Sequence, residues 1–167
     1  MDKVVLIGCG GAGKSTLAIQ LAEKTNLPLF HLDRLFWKAG WQEVDKETFI
    51  QKQAAILETD KWIIDGNYGG TMEKRLEQAD TIIFLDFSTI TCLVGIFSRY
   101  LRYRKTSRPD MTEGNAERLD YIFFKYVLFY NRTRRPKILK DLDTLPSNKE
   151  IHILRSRKEV AQFLEKF

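Results

Sequence analysis

The sequence predicts a three-layer α/β fold, in which a mostly parallel β-sheet lies between helices on both of its faces. Short aliphatic runs that are typical of buried strands alternate along the chain with segments of helical period. Strands connected in this way form right-handed units, and such folds bind ligands in the loops at the carboxyl ends of their strands. With 167 residues, 44% of them hydrophobic and 29% charged, the chain is predicted to form one domain spanning residues 1–167.

The individual elements are predicted from these periodicities and from the residues that end each segment. Strands are expected at residues 3–7, 29–32, 62–64, 81–85 and 151–154. Helices are expected at residues 14–24, 45–59, 71–78, 89–103, 116–134 and 157–166. The stretch 34–44 is expected to be irregular, and the apolar stripe from Leu119 to Tyr130 is expected to pack in the core.

The strongest motif follows the first strand directly. Residues 8–16 read Gly-Cys-Gly-Gly-Ala-Gly-Lys-Ser-Thr and match the phosphate-binding P-loop pattern at every fixed position. Glycines let consecutive backbone N–H groups point at phosphate oxygens, and the helix that follows adds its positive N-terminal end. ATP is therefore predicted to bind to Gly8, Gly10, Gly11, Ala12, Gly13, Lys14, Ser15 and Thr16. Lys14 is expected to act in catalysis by reaching the β- and γ-phosphates, and Ser15 is expected to ligate Mg²⁺.

Three aspartates follow predicted strands and are candidates for chemistry at one edge of the sheet. Asp65 ends the third strand, where a carboxylate can hold Mg²⁺, although an aspartate also begins many Asp-Gly bends. Asp33 ends the second strand, where it is expected to bind an acceptor or act as a catalytic base, or else to cap the next segment. Asp86, after the fourth strand, is a weaker candidate for the metal role.

Basic residues are concentrated late in this chain, which has a formal net charge of +5. The arginines that stand out are Arg99, Arg102, Arg104, Arg108 and Arg118. A run of charges is usually a solvated helix face, but phosphoryl transfer needs positive charge around the transferred group. Pro109, Asp110 and Gly114 fit a loop that opens and closes. An arginine-rich lid is therefore predicted over about residues 99–118, with Arg108 and Arg118 as catalytic residues.

Several other side chains have a structural interpretation beside a functional one. Trp37, Trp41 and Tyr68 could stack on a nucleobase or another planar ligand, but aromatic side chains more often serve packing. His31 and His152 lie in predicted strands with apolar neighbours, so both are interpreted as structural.

Cysteine use and hydropathy indicate where the protein works. Cys9 and Cys92 are far apart in sequence, so neither a disulfide framework nor a metal cluster is expected. A reducing, cytoplasmic location is the simpler expectation, and no signal peptide is expected before the first strand. The longest apolar run, residues 81–97, is interrupted by polar residues, so no membrane association is predicted.

Taken together, these segments resemble the adenylate-kinase-like small kinases. More closely, they resemble the bacterial family named DNA topology modulation proteins, and the resemblance covers nearly the whole chain. The matching segments are Gly-Gly-Ala-Gly-Lys-Ser-Thr, His31-Leu32-Asp33, Phe36-Trp37 with Trp41, Trp62-Ile63-Ile64-Asp65-Gly66-Asn67-Tyr68, and Arg108-Pro109-Asp110-Met111. The resemblance implies a P-loop NTPase fold, a five-stranded parallel sheet with strand order 2-3-1-4-5, and an acceptor-binding segment at about residues 33–60.

The sequence departs from the nucleoside monophosphate kinases in the segment after the third strand. In those enzymes this segment reads Asp-Gly-Phe-Pro-Arg, and its arginine binds the phosphate of the acceptor. Here Asn67-Tyr68 replaces Phe-Pro, and Gly69 stands where that arginine would be. A nucleoside monophosphate is therefore expected as acceptor only if Arg75 or Arg34 takes over this role.

Two functions from different classes follow from these residues. The first is an ATP- and Mg²⁺-dependent phosphotransferase whose partner is an unidentified small-molecule acceptor. The alternative is a nucleotide-regulated ATPase or DNA-binding regulator that affects DNA topology, which is suggested by the basic second half and by the family name. DNA is a possible partner only, because the sequence contains no helix-turn-helix or zinc-finger pattern.

Overall fold

The computed structural model describes residues 1–118 and 120–167, so the Leu119 end of the predicted apolar stripe lies outside the described residues. The strands are β1 (Lys3–Gly8), β2 (Leu29–His31), β3 (Trp37–Lys38), β4 (Gln42–Glu43), β5 (Trp62–Asp65), β6 (Thr81–Leu85) and β7 (Glu150–Leu154). The helices are α1 (Lys14–Thr25), α2 (Leu32–Phe36), α3 (Lys46–Leu57), α4 (Gly69–Gln78), α5 (Thr89–Tyr103), α6 (Tyr121–Thr133), α7 (Arg135–Asp143) and α8 (Arg157–Leu164).

A five-stranded parallel sheet forms the centre of the molecule, in the order β2-β5-β1-β6-β7. Counted among these five strands alone, this is the order 2-3-1-4-5, so the expected fold class is confirmed. The four residues from Val4 to Ile7 are fully buried. A central parallel strand has helices over both faces, which explains why this segment is a continuous aliphatic run.

The segment after β2 differs from the sequence prediction. The strand ends at His31 because Leu32 turns inward as the first residue of the short helix α2. Asp33 therefore lies in the first turn of a helix. The stretch predicted as irregular also contains the hairpin of β3 and β4, in which Trp37 pairs with Glu43.

The helix predicted at residues 116–134 was wrong at its start, because α6 begins only at Tyr121. The Asp120 carboxylate accepts hydrogen bonds from the N–H groups of Ile122 and Phe123 and so fixes the first turn there. Before it, Glu117 is buried against two arginines, which holds this part of the chain in a non-helical path. The last helix is capped as its sequence predicts, with Ser156 accepting from the N–H of Glu159.

Two helices press directly on the P-loop. A Cβ atom added to Gly95 in α5 would collide with the carbonyl oxygen of Gly11. A Cβ atom added to Gly10 would lie 2.5 Å from the ring of Phe123 in α6. The loop is therefore held in place by direct contact with α5 and α6.

The same two helices carry most of the exposed large apolar side chains among the described residues. The exposed residues there are Ile90, Val94, Phe97, Leu101, Tyr121, Ile122, Phe124, Leu128 and Phe129. Across the described residues, no helix combines the length and the hydropathy that a membrane crossing requires.

Candidate functional site

The P-loop connects the buried carboxyl end of β1 to the first turn of α1. Gly11 and Gly13 adopt φ angles of 80° and 94°, a left-handed conformation that favours glycine. These two residues let the chain curl around the space that a phosphate would fill. Lys14 lies at the first position of α1, and its Nζ donates to the carbonyl oxygen of Cys9, 3.1 Å away, across the loop. The lysine is thereby held over the anion-binding surface.

A cleft of about 1060 Å³ opens in front of this loop. Its walls come from the P-loop, the end of β5, the pocket-facing side of α5, and the start of α6. Its basic lining residues are Lys14, Arg99, Arg102, Arg108 and Arg157, and its acidic ones are Glu23, Asp33, Asp65 and Asp110. The size suits a nucleotide together with a second small molecule.

Asp65 lies at the carboxyl end of β5, buried beneath the P-loop with 4% of its surface exposed. Its Oδ2 is 2.9 Å from Nδ1 of His31, whereas its Oδ1 has no hydrogen-bond partner among the described residues. Burial opposes ionisation, but the hydrogen bond from His31, the charge of Lys14 and the nearby Ser15 hydroxyl outweigh it and hold the pKa of Asp65 below its usual value. Asp65 is therefore a carboxylate with one oxygen free for a ligand.

His31 was interpreted as structural, and the structure gives it a partner that the sequence did not reveal. It ends β2, directly beside Asp65 on β5 in the register of the parallel sheet. The two residues are 34 positions apart, so only the strand order brings them together. Their pairing orients the Asp65 carboxylate toward the cleft.

Asp33 is placed in the same cleft by the first turn of α2. Its Oδ1 accepts a hydrogen bond of 2.8 Å from the Tyr68 hydroxyl, and its Oδ2 is 3.6 Å from a guanidinium nitrogen of Arg108. Burial and the neighbouring Asp33 charge raise the pKa of Tyr68, so the phenol remains a hydrogen-bond donor at neutral pH. Asp33 is held in one orientation from two sides while remaining accessible from the cleft.

Residues 104–118 form the connection after α5, which we call the lid segment. Its base is closed by an antiparallel bridge between Ser107 and Ala116. Arg108 is 8% exposed and pairs with Glu117 at 3.0 Å as well as with Asp33. Glu117 also accepts a hydrogen bond of 2.9 Å from Arg99. The lid segment is thus attached to the cleft through buried ion pairs.

Asp110, which the sequence indicated only as a loop residue, is a second point of attachment. Its Oδ2 accepts a hydrogen bond of 2.8 Å from the Ser15 hydroxyl and is 3.3 Å from Arg108. Only 6% of Asp110 is exposed. An aspartate after Arg-Pro is also typical of a turn, so no local pattern could have separated the two roles.

The structure does not bring all the predicted residues together. Arg118 is 54% exposed, its guanidinium lies 4.7 Å above the ring of Trp41, and it is absent from the described residues that line the cleft. Asp86 accepts two hydrogen bonds from Arg135, which satisfy its carboxylate away from the cleft. Arg34 is exposed outside the cleft.

The three aromatic residues considered for stacking mainly contact the protein. Trp41 donates from its indole nitrogen to the carbonyl oxygen of Ala116 and meets Trp37 edge to face. The Tyr68 ring packs on Phe36 and Phe49. Of the three, Tyr68 alone lines the cleft within the described chain.

Cys9 and Cys92 are both free thiols, but the fold brings them into contact beneath the P-loop. Their mutual hydrogen bond and their burial raise the pKa of Cys9, so this thiol is unreactive as a nucleophile. No cluster of three or more metal-binding His, Cys, Asp or Glu side chains occurs within residues 1–118 and 120–167.

Comparisons with known proteins agree with this architecture. No protein-family model matches the chain. A shikimate kinase of Flavobacterium johnsoniae is 27% identical over an alignment that covers 87% of this chain and 93% of the relative.

Two solved structures share the fold over nearly the whole chain. One is a shikimate kinase from Acinetobacter baumannii in complex with shikimate, with a TM-score of 0.57, 14% identity, and coverage of 99% of this chain and 90% of the other. The second is a shikimate kinase from Bacteroides thetaiotaomicron, with a TM-score of 0.56, 16% identity, and coverage of 98% and 94%. The chain therefore has the P-loop α/β fold of these solved kinases.

Proposed function

We propose that this protein is an ATP-dependent phosphotransferase that moves the γ-phosphoryl group of ATP to a hydroxyl group of a small molecule. The observation that carries the proposal is the single cleft in which Lys14 of the P-loop, Asp33 and the lid residue Arg108 all lie. The similarity to shikimate kinases supports the same class of reaction.

The donor nucleotide is expected to occupy residues 8–16. The residues present also fit Mg²⁺, because Asp65 offers a buried, unpartnered oxygen within the described chain and the Ser15 hydroxyl lies nearby. Ser15 and Asp65 would hold the ion directly or through water. When bound, the ion would neutralise negative charge that develops in the transition state.

Asp33 is expected to act on the acceptor. The acceptor hydroxyl oxygen forms a bond to the γ-phosphorus as the bond from this phosphorus to ADP breaks, and the hydroxyl proton passes to the Asp33 carboxylate. The hydrogen bond from Tyr68 and the charge of Arg108 fix the orientation of Asp33. Arg99 and Arg102, which also line the cleft, supply positive charge beside the transferred group.

A hydroxyl acceptor fits the structure better than a nucleoside monophosphate. Arg75, the residue that was considered as a replacement for the missing arginine, is fully buried and donates to the carbonyl oxygens of Gly66, Asn67 and Tyr68. It is therefore engaged with the backbone and is not free to bind an acceptor phosphate. We propose hydroxylated carboxylic acids, shikimate among them, as the first class of acceptors to examine.

The test is a coupled assay of ADP release with Mg-ATP and separate acceptors: shikimate, other hydroxylated acids and nucleoside monophosphates. One hydroxylated acid is expected to stimulate turnover. Asp33→Asn should lower kcat by about 10²–10⁴-fold while the Kd for ATP changes little, because a general base acts only on the acceptor. Lys14→Ala should weaken both nucleotide binding and turnover, and Asp60→Asn, at an exposed site, serves as a control. If every acceptor leaves turnover at the level of slow hydrolysis and Lys14→Ala behaves like wild type, the proposal is wrong.

Resemblance to the DNA topology modulation proteins leaves DNA binding as the alternative, although some of the basic residues are engaged inside the protein. Arg108 is buried, Arg99 is paired with Glu117, and Arg135 is engaged with Asp86. Arg108 and Arg99 thus serve internal contacts, whereas Arg104, Arg132 and Lys137 are exposed. A fluorescence titration of duplex DNA against salt would reveal any phosphate contacts as a steep negative slope of log affinity on log salt.

A further inference from the structure

The lid segment carries a carboxylate to the position where a metal-bound nucleotide would meet the P-loop. Asp110 is nearly buried, and its Oδ2 is 2.8 Å from the hydroxyl of Ser15. Ser15 and Asp110 are 95 positions apart, so this contact exists only because the lid segment lies over the loop. Ser15 is also the P-loop residue whose hydroxyl ligates the ion in the P-loop pattern.

A second observation independently points to a ligand at this place. Only 4% of the surface of Asp65 is exposed, and its Oδ1 has no hydrogen-bond partner among the described residues. A buried carboxylate oxygen without a partner costs free energy of folding unless a ligand binds to it. Asp65 lines the same cleft as Ser15 and Asp110. Two carboxylates and one hydroxyl therefore border a single space.

The carboxylates around this space favour a metal ion when the lid segment lies over a nucleotide. With the lid segment in place, Asp110 faces the site of a polyphosphate and would repel it. A guanidinium nitrogen of Arg108 lies 3.3 Å from Asp110 Oδ2 and offsets part of that negative charge. Arg108 is also paired with Asp33 and Glu117. Mg²⁺ prefers one or two carboxylates together with substrate phosphates, which is the set that Asp65, Asp110 and the nucleotide would provide.

We propose that Asp110 is a metal-binding residue supplied by the lid segment, which joins Ser15 and Asp65 at the Mg²⁺ ion of the bound nucleotide. The inference rests on the proposed function, because it requires a Mg-nucleotide on the P-loop. Its consequence is that the lid segment distinguishes the metal complex of the nucleotide from the metal-free form. Closure is favourable over the first and unfavourable over the second.

The test measures nucleotide affinity instead of turnover. The Kd of a non-hydrolysable ATP analogue is determined by calorimetry with excess Mg²⁺ and again with excess chelator, for wild type, Asp110→Asn and Asp110→Glu. The Kd measured with chelator divided by the Kd measured with Mg²⁺ is the Kd ratio. For Asp110→Asn, this ratio is expected to fall by about tenfold or more. Affinity for the Mg complex should decrease and affinity for the metal-free analogue should stay equal or increase. Asp110→Glu keeps the charge and should retain most of the Mg²⁺ dependence.

Glu113→Gln is the matched control, since Glu113 is an exposed carboxylate of the same lid segment. Its Kd ratio is expected to equal that of wild type. Electron paramagnetic resonance of Mn²⁺ added with the analogue gives a direct readout, in which Asp110→Asn should bind Mn²⁺ about tenfold more weakly.

The other outcomes each overturn the inference. An equal loss of affinity under both conditions would show that Asp110 only holds the lid segment through Arg108. An equal gain would show that it competes with the nucleotide for the loop. If wild type binds no analogue under either condition, both this inference and the proposed function fail. If Mg²⁺ stimulates binding in wild type but the Kd ratio of Asp110→Asn is unchanged, this inference alone is rejected.

Discussion

Arg75 is the most enclosed charge near the cleft, and it shows how a single residue shapes the loop between β5 and α4. Its guanidinium donates to the carbonyl oxygens of Gly66, Asn67 and Tyr68. Burial lowers its pKa to about 10, so it stays charged at neutral pH. Tyr68 has a φ of 30°, which is uncommon for a residue other than glycine, and the Arg75 contact helps to hold it there.

Replacing Arg75 by methionine is expected to destabilise the protein by about 3 kcal/mol, because four backbone carbonyls, that of Thr71 included, lose a charged donor. Urea denaturation at neutral pH measures this change in the free energy of unfolding. Lys74→Met, at the exposed neighbouring position, is the matched control and should stay within about 0.5 kcal/mol of wild type. Equal effects of the two substitutions would contradict the role given to Arg75.

At this scale the sequence predicted residues whose role is set by neighbours along the chain. The P-loop glycines and Lys14 belong to one contiguous motif, so their placement could be read from it. The pairing of His31 with Asp65 could not be predicted from the sequence, because it depends on two strands lying side by side. The contact of Asp110 with Ser15 depends on a loop path that no periodicity encodes.

Among the elements, α5 has the closest relation to the candidate site. Gly95 brings the helix backbone against the carbonyl of Gly11, so that helix and P-loop touch without side chains between them. A shift of α5 would therefore move the phosphate-binding loop directly. Such close backbone approach is one of the positions that only glycine can occupy.

Gly95→Ala is expected to destabilise the protein by about 1–3 kcal/mol and to weaken ATP binding, since the added methyl group must push the helix away from the loop. Thermal unfolding and nucleotide titration of the same samples measure both effects. Gly70→Ala is the matched control for stability, because a Cβ there meets no described atom within 4 Å. It should be neutral or stabilising by up to about 1 kcal/mol. A smaller loss in Gly95→Ala than in Gly70→Ala would refute this view of the contact.

Element boundaries were predictable where local capping decides them. Helix α5 runs from Thr89 to Tyr103 as its apolar period predicts, and Ser88 caps its start. The start of α6 was not predictable, because Glu117, which lies inside the helix expected from the sequence, is held by ion pairs to Arg99 and Arg108. Tertiary contacts there outweigh local propensity.

The whole molecule divides its charged contacts between the two edges of the sheet. The carboxyl edge carries the cleft, while Asp80 ties the amino edge together. The Asp80 carboxylate accepts from the N–H groups of Asp2 and Lys3, and its carbonyl accepts from Glu150. Three strands are thus joined at one aspartate, far from the ligand.

Asp80 should make the fold sensitive to acid. Partial burial opposes ionisation, but the hydrogen bonds from Thr81, Asp2 and Lys3 outweigh it and hold the pKa of Asp80 below its ordinary value of 3.8. The contribution of Asp80 to the free energy of unfolding is therefore complete above pH 3.8. It is lost as the pH falls through the lower pKa of the folded state.

Asp80→Asn is accordingly expected to lower the free energy of unfolding at pH 7 by about 1 kcal/mol, after allowance for solvent screening of this partly exposed group. The difference from wild type should shrink as the pH falls below the ordinary value of 3.8 and through the lower folded-state pKa of Asp80. Urea denaturation across this pH range measures it, with the exposed Asp60→Asn as control. A difference that is independent of pH would contradict the assignment.

One contact of the hairpin gives the molecule a natural optical signal. The Trp41 indole nitrogen donates to Ala116 of the lid segment, and Asn115 accepts from the backbone N–H of Trp41. Trp62 is fully buried in the sheet, so its emission should be indifferent to events at the surface. Departure of the lid segment would expose more of the partly buried Trp41 indole to water and shift its fluorescence to longer wavelength. Stopped-flow emission could then time the arrival of each ligand without any attached dye, and the Trp41→Phe variant would report the part of the signal that comes from Trp37 and Trp62.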